Sequence, residues 1–295
     1  MTVASVANIP VISITADCLP EAWEKAVLEV WDKGFQVRTE YDQADNPPSK
    51  DATVIITVSE PFAEPRIHKN FPGGPAELES YRQEVINGIH DHWIDPSKGK
   101  WTYTYHQRLF SYCPVENIQD SETPRPFKQV DQIQSIIDSL SQVNHSRRAQ
   151  AITWMPTADA GTKDPPCLQR VWCRLVANEA GEFSLNMNTH WRSRDLYKAW
   201  FMNAYAFTEL QRIIAEKISL KLNQPVAVGR YVDISDSLHI YGSSFKEVSK
   251  EIEKMRKSSF TERAWRSTEP AFEIMTREAA EQLEKDPDCY AKAKL

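Results

Sequence analysis

Two alternating runs in the middle of the chain constrain its fold more than any other feature. From Arg170 to Val176, the residues Val171, Cys173 and Leu175 alternate with Arg170, Trp172 and Arg174. From Phe183 onward, Leu185, Met187, Thr189 and Trp191 alternate with Ser184, Asn186, Asn188, His190 and Arg192. Successive side chains of an extended strand point to opposite faces, so each run carries one face for a core and one for its outside. The Gly-containing turn from Asn178 to Gly181 joins them, and the pattern predicts a β-hairpin. The long, mostly apolar stretch from Asp195 to Ile218 predicts a central, buried helix directly after it.

The flanking sequence supplies the rest of an α/β fold. Strands are predicted over 9–14, 54–58, 149–154 and 226–241. Apolar residues at helical spacing predict one helix opened by Pro20 (Trp23, Ala26, Val27, Val30, Trp31) and ended by Gly34. A second follows Leu78, Tyr81, Val85, Ile86 and Ile89, and a third Val130, Ile133, Ile136, Ile137 and Leu140. Phe245 to Lys257 and Glu269 to Lys285 are amphipathic helices with charged outer faces. The proline-bearing stretches Asp42 to Asp51 and Asp120 to Pro126 are loops. No repeat or linker divides the chain, so residues 1–295 are expected to form a single domain.

A chain of 295 residues buries about three quarters of its unfolded surface, enough to need no disulfide or metal staple. The net charge of −6 gives no sign of general affinity for nucleic acid or membrane, so any anion needs a local arginine cluster. The five cysteines lack the short paired spacing of a zinc site. With no signal sequence at the N-terminus, a reducing cytoplasm is the expected setting. No apolar run approaches the roughly 18 residues of a membrane span.

The chemistry centres on Cys167, in Asp164-Pro165-Pro166-Cys167-Leu168-Gln169. Arg147 and Arg148 precede it and Arg192 follows it. Nearby positive charge favours the reactive thiolate, whereas a lone cysteine is more often a small buried hydrophobe. Arg192 and Ser193 end the second hairpin strand, and a guanidinium fork with a hydroxyl suits a phosphate. Arg147 and Arg148 are adjacent on an extended segment and point apart, so a turn or a subunit boundary is needed to use both. Asn203, among apolar neighbours, offers a donor and an acceptor that match N3–H and O4 of uracil, or else it bonds the helix backbone. His239 and Tyr241 share a strand face and together could grip a sugar hydroxyl, or else they are structural.

These residues lie in stretches that resemble, in order, the thymidylate synthase family, and most closely its divergent archaeal-type branch. The stretches are Tyr103-Thr104-Tyr105-His106-Gln107-Arg108-Leu109, Ser146-Arg147-Arg148-Ala149, Trp154-Met155-Pro156-Thr157-Ala158-Asp159, Pro165-Pro166-Cys167, Arg192-Ser193-Arg194-Asp195, Asn203-Ala204-Tyr205 and His239-Ile240-Tyr241. The resemblance spans roughly residues 100 to 245. It implies an α/β sandwich with a mixed, twisted sheet at the interface of an obligate homodimer. It makes Cys167 the nucleophile toward C6 of a pyrimidine nucleoside monophosphate, and places Arg192, Ser193 and the partner's Arg147 and Arg148 on the phosphate. Asn203 would read the base, His239 and Tyr241 the ribose, Asp195 and Trp101 the pterin, and Tyr105 would assist proton removal at C5. Arg38 is the positional candidate for a further phosphate contact and Glu84 for the family's catalytic glutamate.

The implied co-substrate is 5,10-methylenetetrahydrofolate or a methanopterin analogue, with no metal. The implied reaction is dUMP to dTMP. Three departures keep a hydroxymethylase open beside it: Leu168 stands where the family commonly has histidine, Trp191 where it has glutamine, and the chain ends in a charged helix and a lysine-rich tail. A nucleotide-binding homologue without catalysis is the third expectation, against which the retained Cys167 and arginines count.

Overall fold

The computed structural model describes residues 7–113 and 128–289, so the expected loop from Asp120 to Pro126 lies outside the described residues. Strand β1 (Val11–Ala16) leads to helix α1 (Leu19–Lys33), strands β2 (Phe35–Val37), β3 (Ser49–Val58) and β4 (Ile67–His68), and helix α2 (Pro75–Asn87). Helices α3 (Tyr105–Phe110) and α4 (Gln132–Gln142), strand β5 (Gln150–Ile152) and the short α5 (Pro156–Asp159) follow. The hairpin is β6 (Leu168–Ala177) and β7 (Phe183–Trp191), then come β8 (Arg194–Asp195), α6 (Trp200–Leu222) and β9 (Val226–Ile240). Helices α7 (Phe245–Lys257) and α8 (Phe260–Arg263), strand β10 (Ala264–Trp265) and α9 (Pro270–Lys285) complete the order.

Eight strands form one mixed sheet in the order β1-β3-β9-β7-β6-β5, with β2 beside the start of β3 and β8 beside the end of β9. The β1/β3, β7/β9 and β8/β9 pairs are parallel, and the others are antiparallel. The hairpin register sets Cys173 opposite Met187 and Leu175 opposite Leu185, so the face read from the sequence is the buried one. That face joins Ile12, Ile14, Val54, Ile56 and Val171 in a core covered by α1, α4 and α6. The opposite face keeps Val11, Ile55, Ile152 and Val176 exposed and carries Arg170 and the part-exposed Trp172, Arg174, Asn186 and Asn188.

The core helix α6 begins at Trp200, five residues later than the sequence suggested. Asp195 sits instead in β8, where Oδ1 accepts the backbone N–H groups of Tyr197 (2.8 Å) and Lys198 (3.0 Å). A short polar side chain that takes its own downstream backbone donors ends a strand and turns the chain before a helix. The third helix likewise begins at Gln132, capped by the Asp131 carboxylate on the Gln134 N–H at 2.8 Å. Val130 bridges Tyr112 instead. The loop expected through Asp51 yields its last residues to β3, and six-residue α3 is too short to leave a periodic signal.

Three bulges shape the central strands, between Ala52 and Val54, Leu168 and Arg170, and Leu185 and Met187. At the last, the β7/β9 ladder loses its regular pairing, and buried Gln211 of α6 replaces it. Its Nε2 donates to the carbonyls of Leu185 (2.8 Å), Gly229 (3.0 Å) and Arg230 (3.2 Å). Gly229 lies so close to Asn186 and the Leu185 backbone that a side chain has no room there. Gly88 ends α2 in the left-handed conformation (φ 64°) against His106, which fixes how α2 meets α3.

Candidate active site

Cys167 sits one residue before β6, half-buried at the edge of the core. Two prolines precede it, and they fix φ and remove two backbone donors from the approach. Their carbonyls are taken by Arg192, whose Nε reaches Pro166 O at 3.1 Å and whose Nη2 reaches Pro165 O at 2.5 Å. The Arg192 backbone N–H also donates to Cys167 O at 2.9 Å. The arginine expected at a phosphate is therefore also the clamp on the cysteine loop, with Nη1 left over. Gln169 Nε2 adds a bond to Pro166 O at 2.9 Å.

The arginines do not lower this thiol overall, contrary to the expectation from sequence. Burial pushes the Cys167 thiol above its ordinary value. Arg192 and, more weakly, Arg194 oppose that shift, while Asp164 adds to it. Removing water from a thiolate costs more here than two guanidiniums return.

Tyr105 is placed by the anchoring of α3. Thr104 caps that helix through Oγ1 to the Gln107 N–H at 2.9 Å, and buried Arg108 grips Asp159 with two bonds of 2.7 and 3.1 Å. The Tyr105 hydroxyl accepts the Leu168 N–H at 3.4 Å, and its ring stands edge-on to Trp191 at 5.6 Å. Tyr103 lies beside it, ring centres 5.7 Å apart. Burial raises both phenols far above the ordinary value, and Cys167 contributes to both shifts, so both stay protonated next to the thiol. Leu168 is fully buried, and its side chain belongs to the core.

Asn203 is brought in by α6 and is 6% exposed. Its Nδ2 donates to the Tyr81 hydroxyl of α2 at 2.6 Å, so it does not bond the helix backbone through that group. Glu84, one turn further along α2, is held elsewhere: Oε2 pairs with His90 Nδ1 at 2.8 Å. His90 stacks on Trp93 (3.9 Å), and Trp101 stands at right angles to Trp93 (5.0 Å), its face partly exposed. Cys289 Sγ approaches His90 Nε2 at 3.6 Å, which brings the end of α9 beside these aromatic rings.

Asp195 pairs with His239 in the β8/β9 ladder. Burial raises the Asp195 carboxyl against the pull of its two backbone donors. His239 and Tyr241 stand together as their spacing required, ring centres 4.5 Å apart, with Tyr41 6.5 Å from Tyr241. His239 Nδ1 lies 3.3 Å from Ser237 Oγ, and its buried Nε2 has no partner among the described residues. Burial lowers the imidazole to about 4, so it is neutral at pH 7. Burial raises the phenol of Tyr241, and the charges of Asp195 and, less, Cys167 add to the shift, which sets the β9 end near the nucleophile.

Four of the expected residues make their hydrogen bonds outside this cluster among the described residues. Arg147 and Arg148 are exposed before β5 and pair with no carboxylate among the described residues. The Arg147 carbonyl accepts Trp172 Nε1 at 3.0 Å, five strand residues from Cys167, or about 17 Å along β6. Arg38 is exposed and donates to Gln43 O at 3.1 Å. Glu84 faces His90. In return the structure adds residues that the sequence did not single out. Tyr81 was legible only as a stripe residue, although a buried phenol needs a hydrogen-bond partner. Buried Arg194 binds Asp233 and, at 2.9 Å, Ser235 Oγ, and it stacks on Trp191 at 4.2 Å.

Among the described residues no group of three or more His, Cys, Asp or Glu is placed to hold a metal, and no helix is long and apolar enough to cross a membrane. The thymidylate synthase family model matches residues 77–282. A protein provisionally named thymidylate synthase from Methanothermobacter marburgensis is 27% identical over 253 residues, covering 81% of this chain and 97% of its own. Its namesake from Methanocaldococcus jannaschii is 28% identical over 235 residues, covering 78% and 90%. With most of α2 through α9 inside the matched region, the chain belongs to the thymidylate synthase family.

Proposed function

We propose that this protein transfers a one-carbon unit from a methylene-tetrahydropterin to C5 of a uracil nucleoside monophosphate, dUMP to dTMP, through a covalent adduct at Cys167. The observation that carries the reading is the clamp between Arg192 and the Pro165-Pro166 carbonyls, which fixes a thiol beside a guanidinium suited to phosphate. Cys167 adds as thiolate to C6, the electron pair moves to O4, and C5 becomes nucleophilic toward the transferred carbon. Because burial raises the thiol, the step also needs charge from outside this set. Arg147 and Arg148 of a second copy would supply it: within one chain they lie about 17 Å along β6 from the thiol. The exposed sheet face, with Ile152, Trp172 and Val176, is the matching contact between copies.

Ser193 joins Arg192 on the phosphate, with Arg38 as the weaker candidate. Neutral His239 and Tyr241 bind the ribose hydroxyl, and Asn203 reads the base. Tyr105, kept protonated by burial, relays the proton lost from C5. The part-exposed face of Trp101 and the Asp195 carboxylate, with Oδ2 outside its backbone bonds, fit a flat, amino-bearing pterin. When bound, the pterin supplies the carbon and, for a methyl product, a hydride. Asp195 orients it, and the aromatic cluster of Trp93 and Trp101 shields it from water.

One observation favours a second product. The residue after the nucleophile, Leu168, is fully buried in the core, so no imidazole flanks the thiol where the family commonly has one. Water added in place of hydride would give the 5-hydroxymethyl nucleotide. Incubation with C5-tritiated dUMP and methylenetetrahydrofolate tests both. Tritium release with a product heavier by a methylene, and dihydrofolate formed in step, is the expected result. Release with a product heavier by an additional oxygen and no dihydrofolate replaces the first reading by the second. No tritium release overturns both.

A further inference from the structure

Uracil and cytosine each present one donor and one acceptor at positions 3 and 4, in opposite order. A carboxamide that is free to flip can satisfy either base, whereas one held in a single orientation satisfies one. Asn203 is buried, so its orientation is set by what it touches. Nδ2 donates to the Tyr81 hydroxyl at 2.6 Å, while Oδ1 bonds no described residue and is not among the enclosed orphan atoms. One amide hydrogen is thus committed to α2, and Oδ1 with the second hydrogen is left for the site.

The tyrosine is itself biased toward accepting. It keeps its hydrogen, because burial and then Glu84 raise the phenol far above its ordinary value. The negative charge of Glu84, which is fixed by its bond to His90 at 2.8 Å, favours the hydroxyl orientation that turns its hydrogen toward the carboxylate and its oxygen toward Asn203. A flipped amide would turn its carbonyl toward the phenolic oxygen and draw the hydrogen away from the carboxylate.

We propose that Tyr81 is a specificity-determining positioning residue, which holds the Asn203 amide in one orientation and thereby makes the site distinguish uracil from cytosine. This rests on the reading of the pocket as a pyrimidine nucleotide site. It assigns a role in base choice to α2, a helix whose sequence advertises only an apolar stripe. Glu84, reached through Tyr81, becomes the second layer of the same device.

Isothermal titration of the full-length protein with dUMP and with dCMP tests it, beside Tyr81→Phe and Glu84→Gln. The wild type is expected to bind dUMP ~10–100-fold more tightly than dCMP, the range one matched bidentate pair confers. In Tyr81→Phe, which removes only the hydroxyl, that ratio should fall at least fivefold, mainly because dCMP binding improves. Glu84→Gln should lower it less. A merely structural role would weaken both nucleotides together. An unchanged ratio in folded Tyr81→Phe, judged by an unchanged circular dichroism spectrum, overturns the proposal. A wild type that binds neither nucleotide overturns the nucleotide-site reading itself. A wild-type preference for dCMP that collapses in Tyr81→Phe keeps the positioning role and overturns the uracil assignment.

Discussion

At the scale of residues, the site is a set of buried polar groups whose protonation is governed by burial more than by neighbouring charge. His239 is the clearest case, with its imidazole lowered from 6.5 to about 4. A lowered histidine means that the unfolded chain binds more protons between those values. Stability is then full above about pH 6.5 and falls as the pH drops toward 4, by about 3 kcal/mol in all. His239→Gln should flatten that dependence: the Tm difference between pH 7 and about 4.5 shrinks relative to wild type. An equal difference in both proteins would mean that His239 takes up its proton as readily in the fold as in the unfolded chain. Most of these side chains were legible from residue type and spacing, His239 with Tyr241 above all, because period-2 geometry leaves little choice. Tyr81 and Arg194 were not, since their roles depend on contacts across 122 and 39 residues of sequence. The depressed thiol was expected from charge alone, and a linear sequence does not display the burial that reverses it.

At the scale of elements, the hairpin announced itself through alternation, and α6 through its length and apolar content. What stayed hidden were the irregularities that aim the site: the bulges, the two-residue β8, and α3. The Gln211 bridge is the testable example. Gln211→Leu keeps the volume but leaves the carbonyls of Leu185, Gly229 and Arg230 without that donor. The expected loss is about 2–4 kcal/mol, at the rate of a few buried unsatisfied groups. It should be read as a lower urea midpoint with an unchanged slope. A midpoint within experimental error of wild type would mean that the bulge is held by the strands alone.

At the scale of the whole molecule, the proposed pairing of two copies accounts for an open sheet face and for arginines set apart from the thiol. One face of the sheet is covered by helices, and the other bears exposed aliphatics beside Trp172 and Arg174. The Arg147 carbonyl meets Trp172 of that open face at 3.0 Å, about 17 Å along β6 from the thiol. Arg148→Ala and Cys167→Ser variants should each be inactive alone. Mixed and refolded together they should recover up to about a quarter of wild-type activity, since half the dimers are mixed and each of those holds one intact site. No recovery would place the arginine in its own subunit's site or outside the chemistry.

All of this turns on one bond between Cys167 Sγ and C6 of the nucleotide. Incubating the protein with 5-fluoro-dUMP and methylenetetrahydrofolate, where loss of the C5 substituent is blocked, should trap it. The intact mass should then rise by the sum of the two ligands, with the adduct mapped to the peptide containing Pro165-Pro166-Cys167. Cys167→Ser should show no such increase. An unmodified wild-type protein under these conditions, or an adduct on another cysteine, would contradict the account.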